Sequence, residues 1–317
     1  MSTAISIAGV TRRYRDQVAL DDVTIDIPGP SITGLLGRNG AGKSTLLRII
    51  AAQEFVSCGQ VEVLGESPVE HDPVLRRMVL VREDQVFPDF RVCHAIRAAS
   101  WFYPNWDADL CGALLDDFEL PQKRMIKKLS RGMRSALGIA IGLAARAEVT
   151  LLDEPYAGLD AVARQLFYDR LLAEYAEHPR TFLLSTHLID EVADLLERVV
   201  MIDHGRVVLD ADADEVRGGA TAVRGPSAAV DQFVAGRPTW DRRKVGSQVS
   251  VVVAGAMDDA DWARARELHL GLEPLSLQQM VIQAAGRANE ARRGADRDGD
   301  GDQAMEDKVM KKERTHA

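Results

Sequence analysis

The chain has 317 residues, 46% of them hydrophobic and 27% charged, which is ordinary for a globular protein with one large core or two smaller ones. Its formal net charge of −9 argues against broad nucleic-acid binding, and its three cysteines lack the spacing of a zinc site or a disulfide framework. No apolar stretch approaches the roughly 20 residues that cross a bilayer, and no secretory signal is recognisable, so we expect a cytoplasmic protein whose membrane role depends on a partner.

The first 36 residues predict short strands that lead into a glycine-rich loop. Apolar and β-branched runs predict strands at Ile5–Val10, Val18–Ile27 and Ile32–Leu36, and a helix is predicted over Thr45–Ala52. The segment before this helix fits the pattern G-x-x-x-x-G-K-[ST]. It reads Gly37, Arg38, Asn39, Gly40, Ala41, Gly42, Lys43, Ser44 and Thr45.

This order of strand, loop and helix is what a phosphate-binding loop requires. Glycines allow successive backbone N–H groups to point at phosphate oxygens, and the helix N-terminus adds partial positive charge. Lys43 can then reach the β- and γ-phosphates while the Ser44 hydroxyl ligates Mg²⁺. We therefore predict that the chain binds a nucleoside triphosphate, the alternative being a glycine-rich turn with an incidental lysine.

The centre of the chain predicts a sheet of parallel strands interrupted by a block of helices. Further strands are predicted at Gln60–Val63, Met78–Val81, Val149–Leu152, Thr181–Ser185 and Val199–Ile202, with helices at Ala161–Ala176 and Leu188–Leu196. Such alternation indicates a mainly parallel sheet covered on both faces. Residues 91–146 favour consecutive helices instead, and we interpret them as an insertion into the sheet domain.

Beyond residue 214 the sequence signals weaken. Residues 215–285 are interpreted as a small C-terminal accessory region, with a strand at Gln248–Ala254 and a helix at Leu275–Ala285. Residues 286–317 are strongly charged and have almost no large apolar side chains, which predicts a disordered tail. A run at 296–301 resembles half of an EF-hand loop, but it lacks flanking amphipathic helices and fits a solvated acidic tail better.

Two adjacent carboxylates end the predicted strand that follows the helical block. In a phosphate-loop enzyme an acid at this position holds Mg²⁺, and Asp153 fits that role. Glu154 would project beside it towards the γ-phosphate, where a carboxylate can act as general base on the attacking water. A solvated strand end is the alternative for the pair alone.

The pentapeptide Leu129-Ser130-Arg131-Gly132-Met133 stands at the start of a predicted helix. Together with the phosphate loop and the acidic pair, it makes the chain resemble the nucleotide-binding subunits of ABC transporters, whose signature is L-S-G-G-Q. Ser130 and Gly132 match the two signature positions that contact nucleotide in that family, whereas Arg131 and Met133 depart from it. The same serine and glycine also suit an ordinary helix cap, which is compatible with a phosphate contact.

The resemblance implies roles for three further positions. Gly158-Leu159-Asp160 matches the loop after the catalytic glutamate, with Asp160 facing a partner subunit, and His187 matches the switch histidine that contacts the γ-phosphate. Tyr14 occupies the position of the aromatic residue that stacks on adenine. An ordinary half-buried strand tyrosine is the alternative for Tyr14.

One departure from the family affects hydrolysis. The family carries a glutamine where the core meets the helical insertion, but here Arg82 stands in its place and Gln85 follows three residues later. Because arginine is cationic and only donates hydrogen bonds, Arg82 could repel Mg²⁺, swing away so that Gln85 substitutes, or bind phosphate directly.

The resemblance covers residues 1 to about 215 and implies an α/β fold. Expected are a phosphate-loop NTPase core of the ABC ATPase type over 1–214, with an antiparallel β edge, an inserted α-helical subdomain at about 91–146 and a small C-terminal α/β appendage. ATP and Mg²⁺ are the implied ligands. Lys43, Glu154 and His187 would be catalytic, Ser44 and Asp153 would hold Mg²⁺, and Ser130, Gly132 and Asp160 would act in trans.

This family also implies partners. A second ABC ATPase subunit, identical or different, would close the nucleotide site, and a separate integral-membrane permease of exporter-like type would hold the chain at the inner face of the cell membrane. The expected function is therefore ATP hydrolysis that drives transport. The alternative is a regulatory nucleotide sensor of the same superfamily with weak or no hydrolysis.

Overall fold

A computed structural model of the protein describes residues 2–15 and 17–286, and it divides into two units after Val216. The predicted tail beyond 286 and its EF-hand-like run lie outside the described residues. The elements of the first unit are β1 (Ser2–Tyr14), β2 (Gln17–Gly29), β3 (Ser31–Leu36), α1 (Lys43–Ile50), β4 (Cys58–Val63), α2 (Asp72–Leu75), β5 (Met78–Arg82), α3 (Val92–Phe102), α4 (Ala108–Asp117), α5 (Arg131–Ala144), β6 (Val149–Asp153), α6 (Ala161–Glu177), β7 (Thr181–Thr186), α7 (Ile189–Val192), β8 (Arg198–Asp203), β9 (Arg206–Asp212) and α8 (Ala213–Arg217).

Six strands form the central sheet in the order β5-β6-β7-β3-β8-β9. The first five are parallel, and every residue of β3, β6 and β7 is buried, as expected for strands covered on both faces. Because the strands are parallel, the carboxyl ends of β3, β6 and β7 meet at one edge of the sheet. That edge carries the glycine-rich loop, Asp153 and His187.

A separate antiparallel sheet, in the order β2-β1-β4, packs on the phosphate-loop helix. Its inward side chains include Ile5, Ile7 and Val23, and they share one buried cluster with Leu46 and Leu47 of α1. Burial of such side chains stabilises the fold by about 1.5–3 kcal/mol each. The predicted antiparallel edge is therefore confirmed.

Helices α3, α4 and α5 form the predicted helical insertion. They bury their own cluster, with Val92 from α3, Cys111 and Leu115 from α4, and Leu137 and Ile141 from α5 at its centre. Asp107 caps α4 by accepting a 2.8 Å hydrogen bond from the Leu110 N–H. This subdomain carries the predicted signature at the start of α5.

The predicted helix at Leu188–Leu196 is wrong in length. The structure has only the four residues of α7, followed by a 3-10 turn at Ala193–Leu195. Leu196 is buried against Gly34 in β3. The 3-10 turn, which is tighter than an α-helix, brings Leu196 to this position and ends the helix earlier than predicted.

The second unit holds more strands than the sequence predicted. It contains β10 (Ala220–Pro226), α9 (Ser227–Val234), β11 (Thr239–Val245), β12 (Gln248–Ala254), α10 (Asp259–Glu267), β13 (Gly271–Pro274) and helical residues 277–286. Its antiparallel sheet has the order β11-β12-β10-β13. Only β12 was predicted as a strand, because its neighbours are short or charged and depend on pairing with it or with β10. Within the described residues, no helix has the length and apolar character needed to cross a membrane.

Candidate nucleotide site

Two glycines allow the loop after β3 to run against neighbouring backbone. Gly37 and Gly42 have φ angles of 150° and 112°, which favour glycine. A Cβ on Gly37 would lie 2.3 Å from the Ile202 carbonyl oxygen, and one on Gly42 would lie 2.6 Å from the Ala19 carbonyl oxygen. The loop is therefore a close-packed cradle into which no larger residue fits at these positions.

The turn between β8 and β9 supports this loop from outside. Its Gly205 N–H donates a 2.9 Å hydrogen bond to the Ala41 carbonyl, and its carbonyl accepts one of 2.9 Å from the Asp21 N–H. His204 and Gly205 both have positive φ, as a type I′ hairpin turn requires. Sequence reasoning missed this hairpin, because His204-Gly205 is not one of the usual turn pairs, although a glycine between two valine-rich runs could have indicated it.

Lys43 is buried, and its ammonium group is positioned to bind an anion. Its ammonium donates hydrogen bonds of 2.8 Å to the Gly37 carbonyl and 3.2 Å to the Arg38 carbonyl, and it lies 3.9 Å from a Glu154 carboxylate oxygen. Burial lowers the pKa of Lys43 from its usual value, while the charges of Glu154 and Asp153 act in the opposite direction. An anionic ligand would relieve this cost.

The two carboxylates after β6 have different surroundings. Asp153 is buried, and one of its oxygens accepts a 3.0 Å hydrogen bond from the Ser185 hydroxyl. Glu154 has a φ of 45°, a conformation that costs a non-glycine residue about 1–3 kcal/mol. Its backbone is held by a 3.3 Å hydrogen bond from its N–H to the Ser185 carbonyl. Such strain concentrates at functional sites.

His187 lies against Glu154 from the end of the neighbouring strand β7. The His187 Nδ1 atom is 3.1 Å from the second Glu154 carboxylate oxygen. Its backbone N–H donates a 3.3 Å hydrogen bond to the Tyr156 hydroxyl, which is itself 2.6 Å from the Thr186 hydroxyl. Tyr156 therefore fixes the position of His187, a role that no local sequence pattern indicated.

The glycine-rich loop, Asp153 and Glu154 border a cavity of about 640 Å³, whereas His187 contacts Glu154 without lining the cavity itself. Its lining residues are Tyr14, Gln17, Ala19, Asn39, Gly40, Gly42, Lys43, Ser44, Thr45, Arg48, Arg82, Glu83, Asp84, Asp153 and Glu154. The glycine cradle and the buried ammonium fit a polyphosphate. The Ser44 hydroxyl and the Asp153 carboxylate are hard oxygen donors of the kind that Mg²⁺ prefers, so the residues present fit both ligands.

Arg82, and not Gln85, faces this cavity. The Arg82 guanidinium lies 3.4 Å from an Asp84 carboxylate oxygen and lines the cavity wall. The buried side-chain oxygen of Gln85 has no hydrogen-bond partner and points towards Gly138 of α5, where an added Cβ would be 3.3 Å from it. The structure thus gives no support to the interpretation in which Gln85 takes over the site.

Tyr14 borders the same cavity at the end of β1. Tyr14 is 37% exposed, and its hydroxyl donates a hydrogen bond to the carboxylate of Glu54. The exposed ring is available for stacking on a base, as the resemblance implies. Sequence reasoning did not identify Glu54.

Ser130, Gly132 and Asp160 do not line this cavity. The Ser130 hydroxyl accepts a 3.1 Å hydrogen bond from the Met133 N–H, and Asp160 accepts one of 2.9 Å from the Ala163 N–H, so both side chains cap helices. A Cβ on Gly132 would lie 2.4 Å from the Gly158 carbonyl oxygen. The signature segment therefore packs directly on the loop that follows Glu154.

Arg131 and Arg82, which both depart from the family pattern, are connected through Glu83. Arg131, in the signature, forms an ion pair with Glu83, which lines the cavity. The Glu83 N–H in turn donates a 3.1 Å hydrogen bond to the Asp153 carbonyl. The start of α5 is thereby joined to the segment that carries Arg82.

Comparison with known proteins gives a consistent result. The sequence profile of the ABC transporter family matches residues 20–157. The chain is 32% identical over 224 residues to the doxorubicin resistance ATP-binding protein DrrA of Mycobacterium tuberculosis, covering 68% of this chain and 67% of that protein. It is 29% identical to the ABC transporter ATP-binding protein YtrB of Bacillus subtilis (67% and 73% covered) and 30% identical to the aliphatic sulfonates import ATP-binding protein SsuB of Burkholderia ambifaria (84% and 77% covered).

Solved structures agree on the fold. An ATP-binding subunit of an ABC transporter is 24% identical with a TM-score of 0.63, and the match covers 68% of this chain and 92% of the other. A dimeric bacterial ABC transporter cassette is 23% identical with a TM-score of 0.59, covering 66% and 98%. The expected ATPase cassette fold is thus confirmed.

Proposed function

This chain belongs to the ATP-binding subunits of the ABC transporter family, and from that premise we propose that it hydrolyses ATP to power a membrane transporter. The observation that carries the proposal is the position of the Glu154 carboxylate, with the Lys43 ammonium at 3.9 Å on one side and the His187 ring nitrogen at 3.1 Å on the other. A base is thereby placed beside the predicted phosphate site.

The phosphate loop would hold the nucleotide through backbone N–H groups and Lys43. On binding, the Lys43 ammonium exchanges the Gly37 and Arg38 carbonyls for β- and γ-phosphate oxygens. Ser44 and Asp153 would hold Mg²⁺, which neutralises phosphate charge when bound. The Ser185 hydroxyl keeps the Asp153 carboxylate oriented for this purpose.

Glu154 would accept the proton of the water that attacks the γ-phosphate. His187 lies beside it and can donate a hydrogen bond to a γ-phosphate oxygen, while Tyr156 holds the His187 backbone in place. Arg82 adds a cation to the same wall of the cavity and could bind phosphate directly once it leaves Asp84.

The site would be completed by a second cassette. Ser130, Gly132 and Asp160 would face the nucleotide held by the partner subunit, and the dimeric cassette among the similar structures supports this arrangement. A separate permease would anchor the pair at the inner face of the membrane. The similar proteins are named for drug resistance and for sulfonate import, so they support transport over the regulatory alternative without fixing a direction.

Steady-state ATP hydrolysis by the complex purified with its permease tests the proposal. Changing Glu154 to Gln removes the base while keeping size and hydrogen bonding, so turnover should fall about 10²- to 10⁴-fold. ATP affinity should be retained, because the phosphate loop is untouched.

The matched control is Glu177→Gln, which alters an exposed glutamate at the end of α6. It should leave turnover unchanged. Equal inactivity of the wild type and the Glu154 variant in the complete complex would contradict the hydrolytic function and favour the sensor.

A further inference from the structure

Glu54 gathers three side chains beside the nucleotide cavity. It accepts the hydrogen bond from the Tyr14 hydroxyl, lies 3.0 Å from the Arg12 guanidinium, and lies 3.5 Å from that of Arg48. The Glu54 side chain is 14% exposed, which is less than the 24% of Arg12 and the 36% of Arg48. The four residues, Arg12, Tyr14, Arg48 and Glu54, are called the Glu54 cluster below.

The cluster fixes the orientation of the Tyr14 ring. The Arg12 guanidinium carbon lies 4.6 Å from the ring centroid and covers one face of the ring. Glu54 accepts the hydrogen bond from the hydroxyl end of the ring, and the side chains of Tyr14 and then Glu54 raise the pKa of Arg12. Tyr14 borders the cavity whereas Arg12 does not, so the ring is presented to a ligand with its far side already occupied.

Helix α1 connects the Glu54 cluster to the phosphate loop. Helix α1 begins at Lys43, carries Arg48 in its last turn and ends at Ile50, and Glu54 follows in the turn after it. The Gln53 N–H donates a 2.8 Å hydrogen bond to the Arg48 carbonyl, which holds the chain leading into Glu54. The Tyr14 ring is therefore connected to the phosphate-loop helix through Glu54 and Arg48.

We propose that Glu54 is the positioning residue of a base-stacking platform formed by the Tyr14 ring, and that it gives the site its preference for nucleotides over bare polyphosphates. This inference rests on the proposed function. A ring held in one orientation loses little conformational freedom when a base stacks on it, whereas a free tyrosine must be ordered on binding. Stacking accepts any base with a π-face, so the platform favours nucleotides as a class.

Calorimetric titration of the full chain with ATP and with inorganic tripolyphosphate tests this role. Glu54→Leu, which removes the acceptor of the Tyr14 hydroxyl at similar size, should weaken ATP binding about tenfold and leave tripolyphosphate binding unchanged, because only the nucleotide uses the platform. Tyr14→Phe, which keeps the ring but loses the bond to Glu54, should weaken ATP binding similarly. The double variant should lose less affinity than the sum of the two single losses, since both remove the hydrogen bond between the Tyr14 hydroxyl and Glu54.

Glu62→Leu provides the matched control, because Glu62 is an exposed glutamate on β4 outside the Glu54 cluster. It should bind both ligands like the wild type. An equal loss of ATP and tripolyphosphate affinity in Glu54→Leu would overturn the inference, since a purely structural ion-pair cluster would disturb the phosphate loop as well. Unchanged ATP affinity would overturn it too, whereas a wild type without ATP affinity would overturn the proposed function along with it.

Discussion

At the scale of single residues, Lys43 shows how the site is held ready without ligand. Its ammonium is buried beside Glu154 at 3.9 Å and relies on two backbone carbonyls. Desolvation outweighs the neighbouring carboxylates, and the pKa of Lys43 is lowered. The charged form is therefore costly until phosphate oxygens surround it.

This pKa shift predicts how phosphate affinity depends on pH. Tripolyphosphate binds the charged lysine, so above the lowered pKa of Lys43 the protein must take up a proton in order to bind. Affinity should fall about tenfold per pH unit, beginning below the usual lysine pKa of 10.5. Over the same window the unliganded protein should gain stability, since its unfolded state binds more protons.

Calorimetry across this alkaline range would measure the effect. Lys43→Arg is the comparison, because arginine keeps its charge there and its affinity, although lower, should stay flat. A wild-type affinity that does not change up to pH 10.5 would contradict the shift.

Residues whose chemistry depends on local spacing could be predicted from the sequence, and residues that act through distant contacts could not. Lys43 lies in a contiguous motif, and Asp153 and Glu154 stand together at the end of a strand. Their roles could be predicted because the residues that indicate them are adjacent in the chain. Glu54 is separated from Tyr14 by 40 residues, and Tyr156 from Thr186 by 30. Nothing in either local pattern names the partner.

At the scale of elements, helix glycines divide into those that another segment contacts and those that face open space. Gly132 of α5 lies so close to Gly158 that an added Cβ would be 2.4 Å from the Gly158 carbonyl. Around Gly112 of α4, no atom outside its chain neighbours and its own helix backbone lies within 4 Å of the equivalent position. The first glycine serves packing, and the second only weakens its helix.

Substitution by alanine should therefore have opposite effects at these two glycines. Gly132→Ala should lower the free energy of unfolding by about 1–3 kcal/mol, because backbone must shift. Gly112→Ala should raise it by about 0.5–1 kcal/mol, because alanine favours the helix. Urea unfolding of both variants beside the wild type measures this. Two shifts of the same sign would refute the explanation.

Element prediction succeeded where strands are apolar and failed where strands depend on their neighbours. The fully buried β3, β6 and β7 stand out in the sequence. Strand β11 reads Thr-Trp-Asp-Arg-Arg-Lys-Val and is ordered by pairing with β12 at the edge of its sheet. Charged edge strands of this kind protect a sheet from unwanted pairing, at the expense of a recognisable apolar pattern.

At the scale of the whole molecule, the nucleotide site lies within the first of the two units. All residues that line its cavity precede Val216, the last residue of that unit. The second unit has its own buried cluster, with Phe233, Val251 and Leu270 among its members. The division after Val216 falls close to the domain boundary proposed from the sequence after residue 214, which stays a proposal.

The first unit should bind ATP without the second. A fragment of residues 1–217, ending with α8, should bind ATP with the affinity of the full chain, because every cavity residue and its supporting contacts are present. Titration of both proteins side by side measures this. Binding weaker by about tenfold, or about 1.4 kcal/mol, would show that the second unit contributes to the site.

Protein engineers who seek the smallest ATP-binding piece of this chain cannot stop at the glycine-rich loop and its helix. The Ala41 carbonyl is held by the Gly205 N–H, and a Cβ on Gly205 would lie 2.8 Å from the Ala19 carbonyl. The cradle is thus clasped by a hairpin encoded near the far end of the first unit. Any excised fragment has to include that hairpin, because without it the glycine-rich motif would lose the contacts that hold the loop in its binding conformation.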